Sequence, residues 1–391
     1  MKKILFIETC NYVDYPSGGQ LSFARHFAAA MRGDAALAGI RTDRSMLEGE
    51  WGKCAVGKYD YDFFNLHNEV VSSSKPVIPK RISAYLSVRK HIHRIIKDRQ
   101  FDIIIIQAPE VLFALPVSLL DKVCLIMPGV SNPLRISRYR WARCLAGIYD
   151  HHFLRCARLV RWILPAADSE AIEGFVRRSK GQLDRSRITQ FPTRYDSDIF
   201  RPMPKAGCRK QLGLGKDDLI VITTGRLNWY KGWKLLVDAF ALFVTQHPEA
   251  RLYFLGEGED EERIREHIVH RGLSGRTFLP GRLSQHDISS YLNASDLFVM
   301  GSYTEGWSTS LVEAVACSKP CVVTDFSSAH DLVKDGENGY VVSSRTATEF
   351  ASAMDKALSL APEDIESHAR AACSMSVNTL RERLNDILSF K

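Results

Sequence analysis

Apolar runs and polar turns alternate along this chain of 391 residues with the spacing of an α/β protein. Short apolar runs predict buried strands, and the amphipathic stretches between them predict helices. In the first half, strands are predicted at 3–8, 101–106, 123–127, 160–164 and 188–192. Helices are predicted at 20–32 and 82–97 and from residues 110 and 169, with Ser169 as a cap. Residues 33–74 are polar and poorly patterned, and predict one short strand and a variable loop.

The second half repeats the alternation. Strands are predicted at 219–224, 251–255, 277–279, 297–300, 321–324 and 340–342. Helices are predicted at 233–246, 260–270, 287–294, from 308, at 348–358 and at 378–389. Strand–helix–strand alternation predicts parallel sheets, and the chain is long enough for two Rossmann-like domains. Prolines at 192, 202 and 204 indicate a linker. The predicted domains are therefore 1–203 and 204–370, with 371–391 as a C-terminal helical segment.

Composition is that of a globular protein, with 45% apolar and 25% charged residues. No run of about 18 apolar residues occurs, so no transmembrane helix is predicted. The apolar start of the chain is interpreted as a buried strand rather than a signal peptide, because Glu8 interrupts it. Nine cysteines form no CxxC pair. This pattern favours reduced thiols in the cytoplasm and predicts no metal site.

Charge is unevenly distributed between the two halves. Residues 1–203 carry 31 Lys and Arg against 20 Asp and Glu, whereas residues 204–391 carry 21 against 25. The basic half predicts an acidic partner such as an anionic membrane surface, a phosphorylated acceptor or nucleic acid. Nucleic acid is the least favoured of these, since no nucleic-acid motif accompanies the charge.

Residues 133–162 concentrate this charge, with seven arginines and one acid, Asp150. Two interpretations remain open: a helix at a membrane interface rich in anionic lipid, or a solvated helix with a buried aromatic face. The arginines are Arg135, Arg138, Arg140, Arg143, Arg155, Arg158 and Arg161, and the interleaved aromatic residues are Tyr139, Trp141, Tyr149, Phe153 and Trp162.

The densest candidate chemistry follows the apolar run 297–300. A turn of small residues leads into a helix from Ser308, with Glu305 before the helix and Glu313 inside it. A helix start offers free backbone N–H groups and a positive dipole end to a phosphate. Carboxylates beside a phosphate would instead hold hydroxyl groups, such as those of a ribose and a sugar. The stretch 301–321 therefore predicts a nucleotide-sugar site.

Several loops that follow predicted parallel strands should meet at the same sheet edge. One of them carries Arg226 and Lys231, two cations whose convergence suits a diphosphate. In the first half, Gly18 and Gly19 follow the first strand, where they either permit close approach of a ligand or form only a tight turn.

These motifs closely resemble those of the family 4 glycosyltransferases, which have the GT-B fold of two Rossmann-like domains facing across a cleft. The resemblance rests most on Glu305-Gly306-Trp307 followed by Glu313, and it covers most of residues 218–342. The first half matches loosely, through Gly18-Gly19 and residues 192–202. Further matching motifs are Gly225-Arg226-Leu227, Lys231-Gly232, Gly256-Glu257-Gly258, Phe278-Leu279-Pro280-Gly281, Cys317-Ser318-Lys319-Pro320 and Asp335-Gly336-Glu337-Asn338-Gly339.

The resemblance implies a retaining, metal-independent transfer of a hexose from a UDP- or GDP-linked donor, without a further cofactor. It implies that Arg226 and Lys231 bind the diphosphate and stabilise its departing charge. Glu305 would contact the donor sugar and Glu313 the ribose. The other implied donor contacts are Gly19, Gly225, Arg282, Leu283, Gly306, Trp307, Ser308, Thr309 and Ser310.

One departure from the family pattern concerns the first domain. The family often carries a histidine after the strand here predicted at 123–127, whereas this chain continues Met127-Pro128-Gly129. The group that would replace this histidine, and the base for the acceptor, are therefore unassigned. Candidates are Asp14, Glu110, His151 and His152.

The resemblance also implies that the first domain binds a glycan or lipid-linked acceptor and that segment 371–391 packs back across the hinge. With the basic segment, it predicts a cytoplasmic or peripheral membrane enzyme of bacterial lipopolysaccharide or exopolysaccharide synthesis. Nucleic acid is not an expected partner. The alternatives are a nucleotide-sugar epimerase or hydrolase of the same fold, and a non-enzymatic nucleotide-binding protein.

Overall fold

The chain forms two compact units in a computed structural model that describes residues 2–16, 19–71, 80–135 and 143–389. The first unit comprises 1–192 and 380–391, and the second comprises 193–379. The division at 192 precedes the boundary predicted at 203. Residues between these points are bonded to the second unit: the Ser289 hydroxyl donates to the Ile199 carbonyl at 2.7 Å, and the Asn293 amide to the Arg201 carbonyl at 3.0 Å.

The first unit contains a seven-stranded sheet in the order β3-β4-β2-β1-β5-β6-β7. Its neighbouring strands are parallel except for the antiparallel pair β3–β4. Apolar side chains cover both faces of the sheet, with Leu5 and Ile7 in one core layer and Phe6 in the other. The strands are β1 Ile4–Ile7, β2 Ala35–Arg41, β3 Trp51–Val56, β4 Tyr59–Asn68, β5 Ile103–Ile106, β6 Val123–Met127 and β7 Trp162–Pro165.

Residues 33–74 differ from the prediction, since they hold β2, β3 and β4 rather than one short strand and a loop. β3 is an edge strand with much of its length exposed. Only one of its faces needs apolar residues, so the apolar pattern along this stretch is weak.

The helices of the first unit include α1 Gly19–Met31, α2 Lys80–Asp98, α3 Pro109–Ala114, α4 Ala146–Ala157 and α5 Ser169–Arg178. The predicted Ser169 cap is wrong: the Asp168 carboxylate accepts from the Ala171 N–H at 2.6 Å, so Asp168 caps α5. The strand predicted at 188–192 is also absent from this described stretch. Ile188 forms only an isolated bridge with Ile163.

The second unit contains an all-parallel six-stranded sheet in the order β10-β9-β8-β11-β12-β13. Its strands are β8 Leu219–Thr224, β9 Ala250–Leu255, β10 Thr277–Gly281, β11 Leu297–Met300, β12 Cys321–Thr324 and β13 Gly339–Val342. Its helices are α6 Lys205–Leu212, α7 Trp233–Phe243, α8 Glu261–His270, α9 Gln285–Ala294, α10 Thr309–Ala316, α11 Ala329–Leu332, α12 Ala347–Ala357 and α13 Pro362–Ala372. The sequence did not predict α6, α11 or α13.

Both sheets contain a point where the chain reverses the direction in which it adds strands. In the first unit this point lies between β1 and β5, and in the second it lies between β8 and β11. Loops diverge there and leave a crevice beyond the carboxyl ends of the strands. The fold therefore directs attention to the residues that follow these four strands.

The last helix, α14 Leu380–Ser389, belongs to the first unit, where Leu380 and Leu384 enter the core layer that contains Phe6. Among the described residues, no helix combines the length and apolarity needed to cross a bilayer. All nine cysteines lie within the described ranges, and none is joined to another.

Candidate functional site

Glycines bring the loops of the second unit into direct backbone contact. Gly256, which follows β9, approaches Gly225, which follows β8, so closely that a Cβ on Gly256 would lie 2.0 Å from the Gly225 carbonyl oxygen. Gly232 has a φ of +69° and meets Gly301 after β11, where a Cβ would lie 1.8 Å from the carbonyl oxygen. These positions require glycine.

A small cavity, open to solvent, lies at the end of β8. Its wall includes Thr224, Gly225, Arg226 and Lys231. Thr224 is buried, and its hydroxyl has no partner among the described residues. Two cations and an unpartnered hydroxyl give this cavity groups suited to an anionic or hydroxyl-bearing ligand.

Lys231 and Glu305 are brought together across the point where the strand order reverses. The Lys231 Nζ lies 2.6 Å from Glu305 Oε1, and both side chains are largely buried. The Ser302 hydroxyl donates to the same oxygen at 2.7 Å. An ammonium group and a carboxylate therefore share one position, where they can contact adjacent charged and hydroxyl groups of a ligand.

The start of α10 lies beside the same cation. Ser308 caps the helix by accepting from the Leu311 N–H at 3.3 Å. A Cβ on Gly225 would lie 3.8 Å from the Ser310 hydroxyl and 3.9 Å from the Lys231 Nζ. The positive end of the helix dipole and the lysine thus lie near one another, as a phosphate site requires.

Glu313 lies one turn into α10 and is half-buried. Burial raises the pKa of its carboxyl to about 8. No charged neighbour contributes to this shift, which indicates an apolar setting. At neutral pH the group is largely protonated in the unliganded site, so it can both donate to and accept from a hydroxyl.

Arg345 fixes the loop that carries Glu305. Its guanidinium donates to the Gly301 carbonyl at 3.2 Å and to the Ser302 carbonyl at 2.8 Å. The Thr324 hydroxyl also donates to the Ser302 carbonyl, at 2.7 Å. These contacts hold Glu305 in place before any ligand binds, which limits the reorganisation needed on binding. The sequence prediction missed Ser302, Thr324 and Arg345.

The remaining predicted arginines are more exposed. Arg226 lies 3.1 Å from Glu259, and its side chain is 63% exposed. Arg282 lies 3.8 Å from Glu257, and its side chain is 64% exposed. Leu283, beside it, is half-buried. Arg226 lines the cavity, whereas Arg282 follows the edge strand β10.

The other predicted residues of the turn before α10 have distinct environments. Gly306 and Thr309 are half-buried. Trp307 is buried, its carbonyl accepts from the Thr193 hydroxyl at 3.0 Å, and its indole N–H has no partner among the described residues. Trp307 therefore packs the turn, and its indole N–H is the polar atom that stays available.

The candidates in the first unit are not gathered at one position. Gly19 begins α1, and Gly18 lies outside the described residues. The exposed Asp14 accepts from the Asn11 amide at 2.7 Å, and Glu110 lies 2.8 Å from Arg81 at the end of β5. His151 and His152 are exposed on α4, where the His152 ring lies 4.7 Å from Phe113.

Glu8 is a candidate that the sequence prediction missed. It directly follows β1 and is fully buried. One carboxyl oxygen accepts from the Thr9 N–H at 2.8 Å and from the Gln20 amide, while Oε2 has no partner among the described residues. Burial, reinforced by nearby Glu110, raises the pKa of Glu8 to about 7. The signal was a polar residue directly after a buried strand.

In the described part of the basic segment 133–162 the aromatic residues pack inwards, and association with a membrane stays a prediction. Phe153 and Trp162 are buried, and the Tyr149 ring lies 5.4 Å from Phe113. In the described part, the aromatic residues thus face the core, as expected for a solvated helix with a buried aromatic face. Arg143, Arg155, Arg158 and Arg161 are exposed. Arg138, Tyr139, Arg140 and Trp141 lie outside the described residues.

Within the ranges that the structure describes, no three His, Cys, Asp or Glu side chains are grouped so that they could hold a metal ion. Metal independence stays a prediction.

Two parallel-sheet α/β units, each with a crevice where its strand order reverses, define the GT-B class of fold. Solved structures of GT-B glycosyltransferases share it. Anabaena HepE in complex with UDP and glucose superimposes with a TM-score of 0.73 at 18% identity, over 100% of both chains. WaaG, a glycosyltransferase involved in lipopolysaccharide biosynthesis, gives a TM-score of 0.71 at 16% identity, over 99% of this chain and 100% of the other. The predicted fold class is confirmed.

Residues 205–372 match the sequence model of the family "Glycosyl transferases group 1". The resemblance predicted from the sequence is thereby confirmed at the level of group 1 glycosyl transferases. The putative glycosyltransferase EpsD of Bacillus subtilis is 30% identical over 159 residues, which are 40% of this chain and 41% of EpsD. The match thus spans about two fifths of this curated relative.

Proposed function

We propose that the protein transfers a sugar from a nucleoside diphosphate sugar to a hydroxyl group of an acceptor. The observation that carries this proposal is the Lys231–Glu305 pair, 2.6 Å apart, beside the start of α10 and within the segment that matches group 1 glycosyl transferases. In this arrangement a diphosphate would meet Lys231 and the helix start, while the adjacent carboxylate would contact a sugar hydroxyl.

In the proposed reaction, the bond between the sugar C1 and the diphosphate oxygen breaks, and its electron pair leaves with the nucleoside diphosphate. The acceptor oxygen forms the new bond to C1, and its proton is released. Lys231 and Arg226 stabilise the leaving diphosphate electrostatically. Because Lys231 is held by Glu305 before reaction, little reorganisation of this lysine accompanies the charge that develops there.

Donor recognition would use the two acids of the turn differently. Glu305, held beside Lys231, accepts from a hydroxyl of the donor sugar. Glu313, whose pKa burial raises to about 8, exchanges hydrogen bonds with the ribose hydroxyls. The donor base would lie near Arg282 and Leu283. UDP is the first nucleotide to test, since the structure of HepE is described in complex with UDP.

The stereochemistry, metal independence, acceptor and cellular location are proposed from the family resemblance and from the distribution of charge along the chain. We propose a retaining, metal-independent hexosyl transfer to a glycan or lipid-linked acceptor held by the basic first unit. WaaG acts in lipopolysaccharide biosynthesis, which supports a role in a bacterial surface polysaccharide. The exposed arginines at 143, 155, 158 and 161 would favour a peripheral position on an anionic cytoplasmic membrane face.

The test begins with a thermal-shift panel of UDP, GDP, ADP, CDP and dTDP. A nucleotide at about 100 times its Kd should stabilise the fold by about 2.7 kcal/mol. The matching nucleotide sugars are then incubated with glycan and lipid acceptors, and products are analysed by mass spectrometry and by NMR at the anomeric carbon. A new glycoside with the donor's anomeric configuration supports the proposal.

Three other results would contradict it. Release of free sugar without transfer identifies a hydrolase, and an isomerised nucleotide sugar identifies an epimerase. Nucleotide binding without any turnover, together with a cellular phenotype unaffected by Glu305→Ala, indicates a non-enzymatic binding protein.

A further inference from the structure

Two large aromatic side chains of the second unit are exposed beside the site. Trp229 is 62% exposed and Tyr303 is 52% exposed. In the part of the chain that the structure describes, they are the two aromatic residues among the exposed large hydrophobic side chains, and they contact each other with ring centroids 5.6 Å apart. Adjacent exposed Trp and Tyr side chains are typical of binding surfaces rather than of ordinary solvent-facing loops.

The two rings are held in place by the loops that form the site. The Tyr303 N–H donates to the Tyr230 carbonyl at 2.7 Å, which joins the loop after β11 to the loop after β8. The Arg345 guanidinium lies 4.2 Å from the centre of the Tyr303 ring and also binds the Gly301 carbonyl. A preorganised aromatic surface loses little conformational entropy when a ligand stacks on it.

The position of the rings relates them to the sugar end of the proposed donor site. Trp229 precedes Lys231 by two residues and Tyr303 precedes Glu305 by two, and Lys231 and Glu305 form the 2.6 Å pair. The loop proposed for the base follows β10, which lies two strands from β8 at the sheet edge. The aromatic rings therefore lie near the position proposed for the donor sugar and not beside the loop proposed for the nucleobase, so they are not assigned to the base.

The chemistry of the two aromatic rings indicates which kind of ligand they would bind. The face of an aromatic ring carries negative charge density, and the axial C–H bonds of a pyranose ring present weakly positive hydrogens that match it. The donor sugar itself must be shielded from water to avoid hydrolysis, which an exposed surface does not provide. A sugar ring of the acceptor, which continues outwards from the reacting hydroxyl, fits an exposed surface better.

We propose that Trp229 and Tyr303 form an aromatic platform on which one pyranose ring of the acceptor glycan stacks. This inference rests on the proposed glycosyl transfer and adds an acceptor subsite on the second unit. Trp229 supplies the more exposed ring face, and Tyr303, backed by Arg345, supports its position. The platform contributes to acceptor affinity and leaves donor binding unchanged.

Binding is tested directly in the full-length protein labelled with 5-fluorotryptophan. The chain has six tryptophans, and the Trp229 resonance is assigned by its loss in Trp229→Phe. The probes are methyl glucosides, galactosides and mannosides, and maltotriose. A selective shift of the Trp229 resonance supports the proposal. If none of the probes shifts it, or if only vesicles of phosphatidylglycerol do so, the platform does not bind a glycan and the proposal is overturned.

Kinetics separate this inference from the proposed function. With the acceptor identified in the product screen, Trp229→Ala should raise the acceptor KM about tenfold, while Trp229→Tyr retains most of the affinity. The donor KM and the background hydrolysis of donor should stay unchanged. Val269→Ala, which removes a 67% exposed side chain from α8 of the same unit, is the matched control.

Each kinetic outcome is decisive. If transfer is observed and Trp229→Ala leaves the acceptor KM unchanged, the platform fails and the proposed function stands. If the donor KM rises instead, the rings contact the donor and the platform fails. If no donor is turned over but glycosides shift Trp229 selectively, sugar binding by the platform is supported while the proposed function fails.

Discussion

Apart from the antiparallel edge strand β3, the two units have the same strand order, but different side chains follow the strands where that order reverses. In the second unit, β8 is followed by Gly225 and Arg226, and Lys231 lies beside the start of α10. In the first unit, β1 is followed by the buried Glu8, and β5 by Gln107. A cationic crevice suits a diphosphate, whereas a carboxyl group suits hydroxyl groups. The comparison indicates that the side chains that follow the central strands, rather than the shared fold, decide which ligand each unit can bind.

The largest effect is expected at Gly232, where the loop after β8 contacts the backbone of the loop after β11 in the second unit. Gly232→Ala places a Cβ 1.8 Å from the Gly301 carbonyl oxygen in a conformation with a φ of +69°. We expect it to lower the free energy of unfolding by more than about 4 kcal/mol, as measured by urea denaturation. Gly213→Ala has a similar φ of +66° but open space, and should cost only about 1–2 kcal/mol. Equal losses would show that the loop contact is unimportant.

Removing the ammonium group of Lys231 tests whether the diphosphate binds to the second unit. Lys231→Ala should reduce kcat about 100- to 1000-fold, because it removes a charge that stabilises the leaving group. The rate of nucleoside diphosphate release measures this. Lys234→Ala, which removes an exposed lysine of α7, is the control and should retain full activity. If Lys231→Ala were as active as Lys234→Ala, the diphosphate would have to bind elsewhere.

The two glutamates with raised pKa values, Glu313 and Glu8, predict a pH dependence that distinguishes the units. The unfolded pKa of a glutamate is near 4.5, whereas the folded pKa is about 8 for Glu313 and about 7 for Glu8. Between these values the folded state binds more protons than the unfolded state. The free energy of unfolding should therefore fall as pH rises, by up to about 1.4 kcal/mol per pH unit and per group. The loss ends above the folded pKa.

Variants separate the two contributions. Glu313→Gln should flatten the stability profile up to about pH 8, and Glu8→Gln only up to about pH 7. Denaturation midpoints recorded at intervals from pH 5 to pH 9 would show this. Identical profiles for both variants and the wild type would contradict the burial of these carboxyl groups.

The smallest effect is expected at the exposed pair of Arg226 and Glu259. Both side chains are more than half exposed, so Glu259→Gln should change stability by less than about 0.5 kcal/mol. It should slightly tighten nucleoside diphosphate binding, since Arg226 loses a competing carboxylate. Calorimetric titration measures this affinity. A weaker affinity would indicate that Glu259 positions Arg226 rather than competes for it.

Much of the second unit could be predicted from its sequence. Apart from the edge strand β10, its strands are largely buried and appear as unbroken apolar runs, and each ends in a glycine-containing or polar loop. Arg226, Lys231, Glu305 and Glu313 follow such strands directly or lie in the next turn. The helix α6 was missed because it lies among the prolines that suggested a linker.

The rest depended on contacts between residues far apart in the chain. No local pattern relates Arg345 to the carbonyl of Ser302, or Gly232 to Gly301. The edge strand β3 escaped prediction because an exposed strand lacks an apolar run. Glu8 was interpreted only as the end of an apolar run, although its place after β1 is equivalent to that of Gly225 after β8.

The helix α14 completes the core of the first unit after the whole of the second unit has been synthesised. At about 5–20 residues per second, the ribosome needs roughly 10–40 s to make residues 193–379 before Leu380 and Leu384 emerge. During that time the nascent first unit exposes the apolar surface that these leucines will cover. The first unit can therefore complete its native core only after residues 193–379 have been made.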